Sequence, residues 1–282
     1  MEEIRRTRRV QYGTLFFHWL VRPTQWEILC SFMIPGGVET NHLERLACHV
    51  HLHPRLHRLD INDRRSTQTP LSQELTVALL ANITFLSVEI YRPIITFGES
   101  PVALPVLQTP LWTTYSGYAE AFPFAILDLP SLRHLSLKHD PACVQVLDIG
   151  QRCPTLVSLH VYAAIDKYAP LRFPSLAHFL QLEELSSKEP FDPDTPTLIP
   201  PYHPLQGLYL LFSSENSLIE LLQRILRDSP KHLRRISVRD SWPYLCGKIC
   251  TWRALAAESE AKNIQIHDSR GLDLSTALKA ME

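Results

Sequence analysis

The chain has 282 residues, with Lys and Arg numbering 28 against 29 Asp and Glu, so its near-neutral charge excludes a general polyanion binder. Hydrophobic residues make up 45% of it, which excludes a largely disordered polymer, and no apolar run nears the roughly 18 residues that a bilayer span requires. Glycines number only 9, too few for generous phosphate-cradling loops, whereas 44 leucines call for a test of periodicity.

The opening, Met1 to Arg9, lacks the order of a secretory signal, because the apolar stretch that follows is short and carries His18. Arg5, Arg6, Arg8 and Arg9 suit a nuclear address or an acid-binding patch, and equally a solvated terminal helix. Residues 1–42 are expected to form a helical or irregular N-terminal cap. Leu29, Phe32 and Ile34 lie 27 residues before Leu56, Leu59 and Ile61, but Trp26–Leu29 also reads as helical. Only 13 residues separate Leu43 from Leu56, too few for a strand and a helix, so Asn41–Leu52 is expected to be a return helix.

From there the pattern Leu-x-x-Leu-x-Leu, with any apolar residue in each apolar place, recurs. Good copies begin at Leu56, Ile83, Leu132, Leu156, Leu205 and Leu233. Poorer ones are Leu107, Pro110 and Trp112, then Leu182 and Leu185 with Ser187 in the third place; Ile264 and Ile266 fit a last frame set at Ala261. Successive intervals are 27, 24, 25, 24, 26, 23, 28 and 28, within the span of leucine-rich repeats. Each -x-Leu-x-Leu-x- half predicts a short strand with alternate residues pointing inward. Several returns read as helices: Pro70 to Ala81, with Leu71, Leu75, Ala78 and Leu79 on one side; Asp140-Pro141 to near Cys153; Ser217 to Asp228, with Ser217 and Glu220 as a capping box; and Trp252 to Lys262. One such unit buries too little apolar surface to offset its ordering entropy, so the units must stack. The expected fold is α/β, a leucine-rich-repeat solenoid over residues 43–268: curved, with its parallel sheet on the concave side and helices on the convex side. Residues 190–204 hold six prolines in fifteen and are expected to be an extended loop, either a docking ligand or a rigid connector. Residues 269–282 are expected to be a loose tail.

The cadence Leu104-Pro105-Val106-Leu107, Leu129-Pro130-Ser131-Leu132 and Cys153-Pro154-Thr155-Leu156, closed by Trp252 to Leu255 and Asn263 to Asp268, resembles the leucine-rich-repeat region of fungal F-box-like proteins. The resemblance covers roughly residues 25–268. It implies repeats that capture a protein substrate for a cullin ubiquitin ligase. In that family an N-terminal F-box docks on the ligase adaptor; Met1–Leu20 shows neither its Leu-Pro opening nor its leucine pattern, so an adaptor partner is implied only where an F-box exists.

Chemistry-bearing constellations are sparse. The six cysteines are expected to be buried thiols of a cytoplasmic or nuclear protein; Cys246 and Cys250 have no second pair nearby to complete a zinc site. His49, His51, His53 and His57 pose a metal question without acids or thiols at ligand spacing, and a solvated surface is the plainer reading. No nucleophile elbow, phosphate loop or metalloprotease helix occurs in the sequence. No cofactor, metal, nucleic-acid or membrane partner is therefore expected. The expectation is a non-enzymatic scaffold that binds a protein on the residues between inward leucines: Arg58, Phe85, Glu89, His134, Lys138, His160, Tyr162, Tyr209, Arg235 and Arg239. A free-standing inhibitor or tether, and an enzyme on an irregular α/β fold, are the alternatives.

Overall fold

The computed structural model describes residues 31–34, 44, 46–48, 56–63, 71–90, 101–114, 126–138, 149–162, 176–188, 199–211, 214–228, 230–239, 242 and 248–280. The chain divides into two compact units, Met1–Asp128 and Leu129–Glu282. Each is mixed α/β around a parallel sheet.

In the first unit the sheet contains β1 (Ser31–Ile34), β2 (Arg58–Asp63), β3 (Phe85–Ile90) and β5 (Thr109–Thr114), neighbours in that order. A separate parallel pair joins β4 (Val102–Ala103) to β6 (Leu127–Asp128). The second unit continues the plan with β7 (His134–Lys138), β8 (Ser158–Tyr162), β9 (Glu184–Lys188), β10 (Gly207–Leu211), β11 (Arg235–Val238) and β12 (Gln265–His267). Each pairs in parallel with the next.

The register is that of the sequence pattern. Phe32 faces Leu59, Leu59 faces Leu86, and Leu86 faces Pro110. In the second unit Leu135, Leu159, Leu185, Leu208, Ile236 and Ile266 form one column, none more than 2% exposed. Leu137, Val161, Ser187, Leu210 and Val238 form the next. Both poorer copies are therefore rungs like the rest.

Pro110 lies inside a strand because donors alternate sides along a strand. Thr109 N–H donates to Thr84 O at 3.0 Å, so the donor missing at Pro110 faces away from β3. The strand β1 corrects the expected boundary: the rhythm already runs at 31–34, inside the segment assigned to a cap. The helical alternative for Trp26–Leu29 and the arginines of the opening lie outside the described residues.

Six rungs are prepared by the same turn. Ile83, Leu107, Leu132, Leu156, Leu182 and Leu233 donate their N–H groups to the carbonyls three residues earlier, at 3.1–3.3 Å. Pro105, Pro130 and Pro154 occupy the second turn position, where a fixed φ pre-sets the bend. That is the physical content of the Leu-Pro-x-Leu cadence. Pairs of successive N–H groups then donate to one carbonyl of the preceding rung: Val157 and Ser158 to Arg133, Glu183 and Glu184 to Val157, Gln206 and Gly207 to Glu183, Arg234 and Arg235 to Gln206.

One turn is built differently. At 200–205, His203 N–H donates to Pro200 O at 2.9 Å, and Leu205 N–H donates to the His203 ring at Nδ1, 3.2 Å away. An imidazole thus replaces a turn carbonyl. Ile199 and His203 are buried, so 199–204, expected to be extended loop, is an anchored turn; residues 190–198 lie outside the described set.

The helices depart in detail from expectation. α1 (Gln73–Leu80) starts behind Ser72, whose Oγ accepts from Leu75 N; of the expected apolar side Leu71 and Leu79 are buried, with Thr76 and Leu80, whereas Leu75 and Ala78 are half-buried. Of the Asp140 return, α2 (Ile149–Arg152) is described, with Ile149 buried. α3 (Glu215–Asp228) begins earlier than the Ser217–Glu220 capping box implied. Ser214 Oγ accepts from Ser217 N at 3.2 Å, so Ser214 satisfies the orphan donor and Ser217 sits within the helix. Of the return helix expected over Asn41–Leu52, Glu44 and Leu46–Cys48 are helical, with Leu46 and Ala47 buried.

α4 (Ile249–Ala261) packs on α3, and α5 (Leu274–Lys279) packs on α4. Trp252 Nε1 donates to Glu215 Oε1 at 2.7 Å and its ring meets Trp242 edge-on, 5.7 Å between centroids. Trp242 Nε1 donates to Leu272 O at 2.6 Å, and Lys262 Nζ donates to Leu226 O near the end of α3. Of residues 269–282, expected to be loose, the described 269–280 instead pack at the end of the second unit. Asp268 Oδ1 accepts from Arg270 N and Leu272 N, Gly271 takes φ 79°, and Asp273 caps α5, which buries Leu274, Ala277 and Leu278. The enriched Asp-x-x-Gly and Asp-Leu-Ser-Thr signals of a turn and an N-cap were present there. Among the described residues no helix is long and apolar enough to cross a membrane.

Candidate functional site

Alternation along each strand sends one set of residues into the core and the other set out. In the first unit the outward residues in register are Arg58, Phe85 and Thr109, then Asp60, Ser87 and Leu111, then Asn62, Glu89 and Thr113. Their polar groups serve one another. Arg58 Nε donates to Asp60 Oδ2 at 2.8 Å, and its guanidinium lies 4.1 Å above the Phe85 ring centroid. The hydrogen bond to Asp60 raises the Arg58 pKa further. Asn62 Nδ2 donates to Glu89 Oε2 at 2.8 Å.

In the second unit the outward rows are His134, Ser158, Glu184, Gly207, Arg235 and Gln265, and Ser136, His160, Ser186, Tyr209, Ser237 and His267. Lys138 faces Tyr162, whose side chain lies outside the described set. Arg239 follows β11, its N–H donating to Leu210 O at 3.1 Å and its side chain exposed.

Four of these residues, His160, Glu184, Tyr209 and Arg235, come together with Gly207 and Ser237 around a shallow hollow of about 40 Å³. Gly207 creates it. Strands β9 and β11 flank β10, and with no side chain at 207 the Arg235 guanidinium reaches over to Glu184, Nη2 to Oε1 3.5 Å. A Cβ at 207 would meet that Nη2 at 3.6 Å and Glu184 Cγ at 3.7 Å, so a methyl just fits and anything larger enters the path of the ion pair. Tyr209 stands beside it, 39% exposed. His160 Nε2 is 2.8 Å from Ser158 Oγ. Burial pushes the His160 pKa below its usual value; Glu184 opposes that shift and His134 adds to it.

Arg58, Phe85 and Glu89 thus belong to the first unit, and His134, Lys138, His160, Tyr209, Arg235 and Arg239 to the second. The hollow's Glu184, Gly207 and Ser237 were not singled out from the sequence as site residues. A glycine at an outward strand position, between Leu205 and Leu208, was the available signal.

The chain matches no family model, curated protein or solved structure. Of the four histidines that pose the metal question, His57 is exposed ahead of β2; His49, His51 and His53 lie outside the described residues. Among the described residues no group of three His, Cys, Asp or Glu side chains is placed to hold a metal ion. Of the thiols expected to be buried, Cys153 is; Cys48 and Cys250 are exposed, because their helices turn those positions to solvent.

Proposed function

We propose that this protein is a non-enzymatic interaction scaffold, a leucine-rich-repeat solenoid that binds a protein partner on the outward row of its strands. The observation that carries the reading is the register of the second unit, which sets an exposed Tyr209 beside Arg235 and Glu184 on a surface whose rigid support is the buried leucine column. Aromatic and arginine side chains on a rigid frame are what binding hot spots use, since little side-chain entropy is lost when they dock. The even rung spacing supports the solenoid, and the turn cadence supports its likeness to repeats of F-box-like substrate receptors.

The test is affinity purification of the tagged full chain followed by mass spectrometry, alongside the double variant Tyr209→Ala, Arg235→Ala. A partner held by the wild type and reduced at least tenfold on the variant is expected. Equal recovery from both would remove the outward face from the account. Recovery of a cullin-ligase adaptor would place the scaffold in a ligase, and its absence beside a specific partner would favour a free-standing tether.

A further inference from the structure

Resting on that reading of the outward face, we infer that the second unit takes an extended acidic peptide segment, one of whose carboxylates docks on Arg235 over Gly207 in place of Glu184. Charge is the first observation. The described exposed charges are Lys138 and Arg235 against Glu184 on strands β7 to β11, Arg133 and Arg234 against Glu183 just ahead of those strands, and Arg239 just after β11. The whole chain is near neutral, so this excess of cations is local. The first unit is the contrast: Arg58 is held by both Asp60 oxygens and by the Phe85 ring.

The second observation is the state of Arg235. Its contact with Glu184 is a single 3.5 Å approach between side chains 57% and 50% exposed. Such a pair is worth little in water, so an incoming carboxylate displaces Glu184 at low cost and gains a planar, two-pronged partner. The third is shape. Arg235 and Tyr209 both line the hollow at Gly207, so the exposed Tyr209 ring offers an apolar wall for the methylene of an incoming Asp or Glu. From β7 to β11 the face spans four strand spacings, roughly 19 Å, which an extended segment of about six residues covers. A peptide can set neutral residues over Glu183 and Glu184. A nucleic-acid strand brings a phosphate at every step and is repelled there, which favours the peptide.

The experiment is fluorescence anisotropy of the full chain with a labelled ten-residue alternating Glu-Ser peptide, its Lys-Ser counterpart and ten-nucleotide oligothymidylate at about 0.15 M salt. The Glu-Ser peptide is expected to bind best. Arg235→Gln is expected to weaken it at least fivefold and Glu184→Gln to tighten it about threefold, while Lys279→Gln, an exposed cation on α5, changes it less than twofold. Melting curves check that each variant is folded. Absence of Glu-Ser peptide binding, tighter Lys-Ser peptide, equal oligothymidylate, or an Arg235→Gln effect no larger than that of Lys279→Gln would each overturn the inference. The outward-face reading fails separately: if Tyr209→Ala, Arg235→Ala still loses a verified partner, that reading stands without an acidic ligand.

Discussion

Leu159→Ala is the perturbation that most directly probes the stacked rungs. Leu159 is fully buried, with Leu135 opposite on one neighbouring strand and Leu185 on the other. Truncation removes the equivalent of about three methylenes, roughly 2.4 kcal/mol of transfer free energy. A cavity term adds to this according to how far the site can collapse. Here collapse is hindered, because hydrogen-bonded ladders on both sides hold the flanking strands about 4.8 Å apart. The expected loss therefore falls in the upper part of the usual range for Leu→Ala, about 3–4 kcal/mol. For a unit of this size that lowers the Tm by roughly 6–16 °C. Urea unfolding followed by circular dichroism and fluorescence measures the loss, and Leu159→Met, which conserves volume, is expected to cost under about 1.5 kcal/mol. A loss below about 1 kcal/mol for Leu159→Ala would refute the shared column, since an isolated apolar residue on a mobile segment is the case that tolerates truncation.

Two further outcomes follow from named contacts. His203 is buried and accepts the Leu205 N–H at Nδ1, and burial lowers its pKa even though the Phe179 and Leu176 carbonyls oppose the shift. The unfolded chain then binds this proton more readily than the folded one, so the contribution is complete above the ordinary imidazole value of about 6.5 and is lost as pH falls below it. The urea midpoint is expected to drop between pH 7.5 and pH 5 by more in the wild type than in His203→Gln; parallel pH profiles would contradict the assignment. Trp252→Phe keeps the ring against Trp242 but removes the Nε1–H bond to Glu215, and is expected to cost about 2 kcal/mol. Glu215→Gln, which retains an acceptor oxygen, is expected to cost less than half as much in the same unfolding experiment.

The rungs were legible because strand alternation and repeat length are written in apolar residues, and burial punishes a slip of one place. Even Pro110 and Ser187 keep their places, since neighbours on both sides fix the register. The strand at 31–34 was obscured by helical character at Trp26–Leu29, where a short apolar run fits either period. The start of α3 was misplaced for a local reason: Ser214 and Ser217 are both capable caps three residues apart, and only the fold decides between them. The structure at 268–279 was hidden because turn and cap signals were read as the composition of a tail, although Asp268, Gly271 and Asp273 each have a definite task there. Lateral neighbours were the least visible. The sequence says which residues point outward, but the meeting of Glu184 and Arg235 across Gly207 joins positions 51 apart in the chain through the registers of two separate strand pairs.

That separation bears on how the outward face acquires a ligand preference. A rung needs its inward residues and its turn to stay in register, so the exposed outward positions change charge and size with little effect on stability, whereas Ser158, Ser186 and Ser237, on the same rows, are buried. Gly207 is the extreme case: the outward side chain is gone, yet Leu208 beside it remains in the column between Leu185 and Ile236. The vacated space lets side chains from strands that are not neighbours touch. An ion pair made that way has only its partner's charge to hold it, with no ladder hydrogen bond fixing either side chain. Arg235 is accordingly a guanidinium that a competing carboxylate can capture, whereas Arg58, gripped from below by Phe85 and from the side by Asp60, gives up two contacts before it can bind anything else.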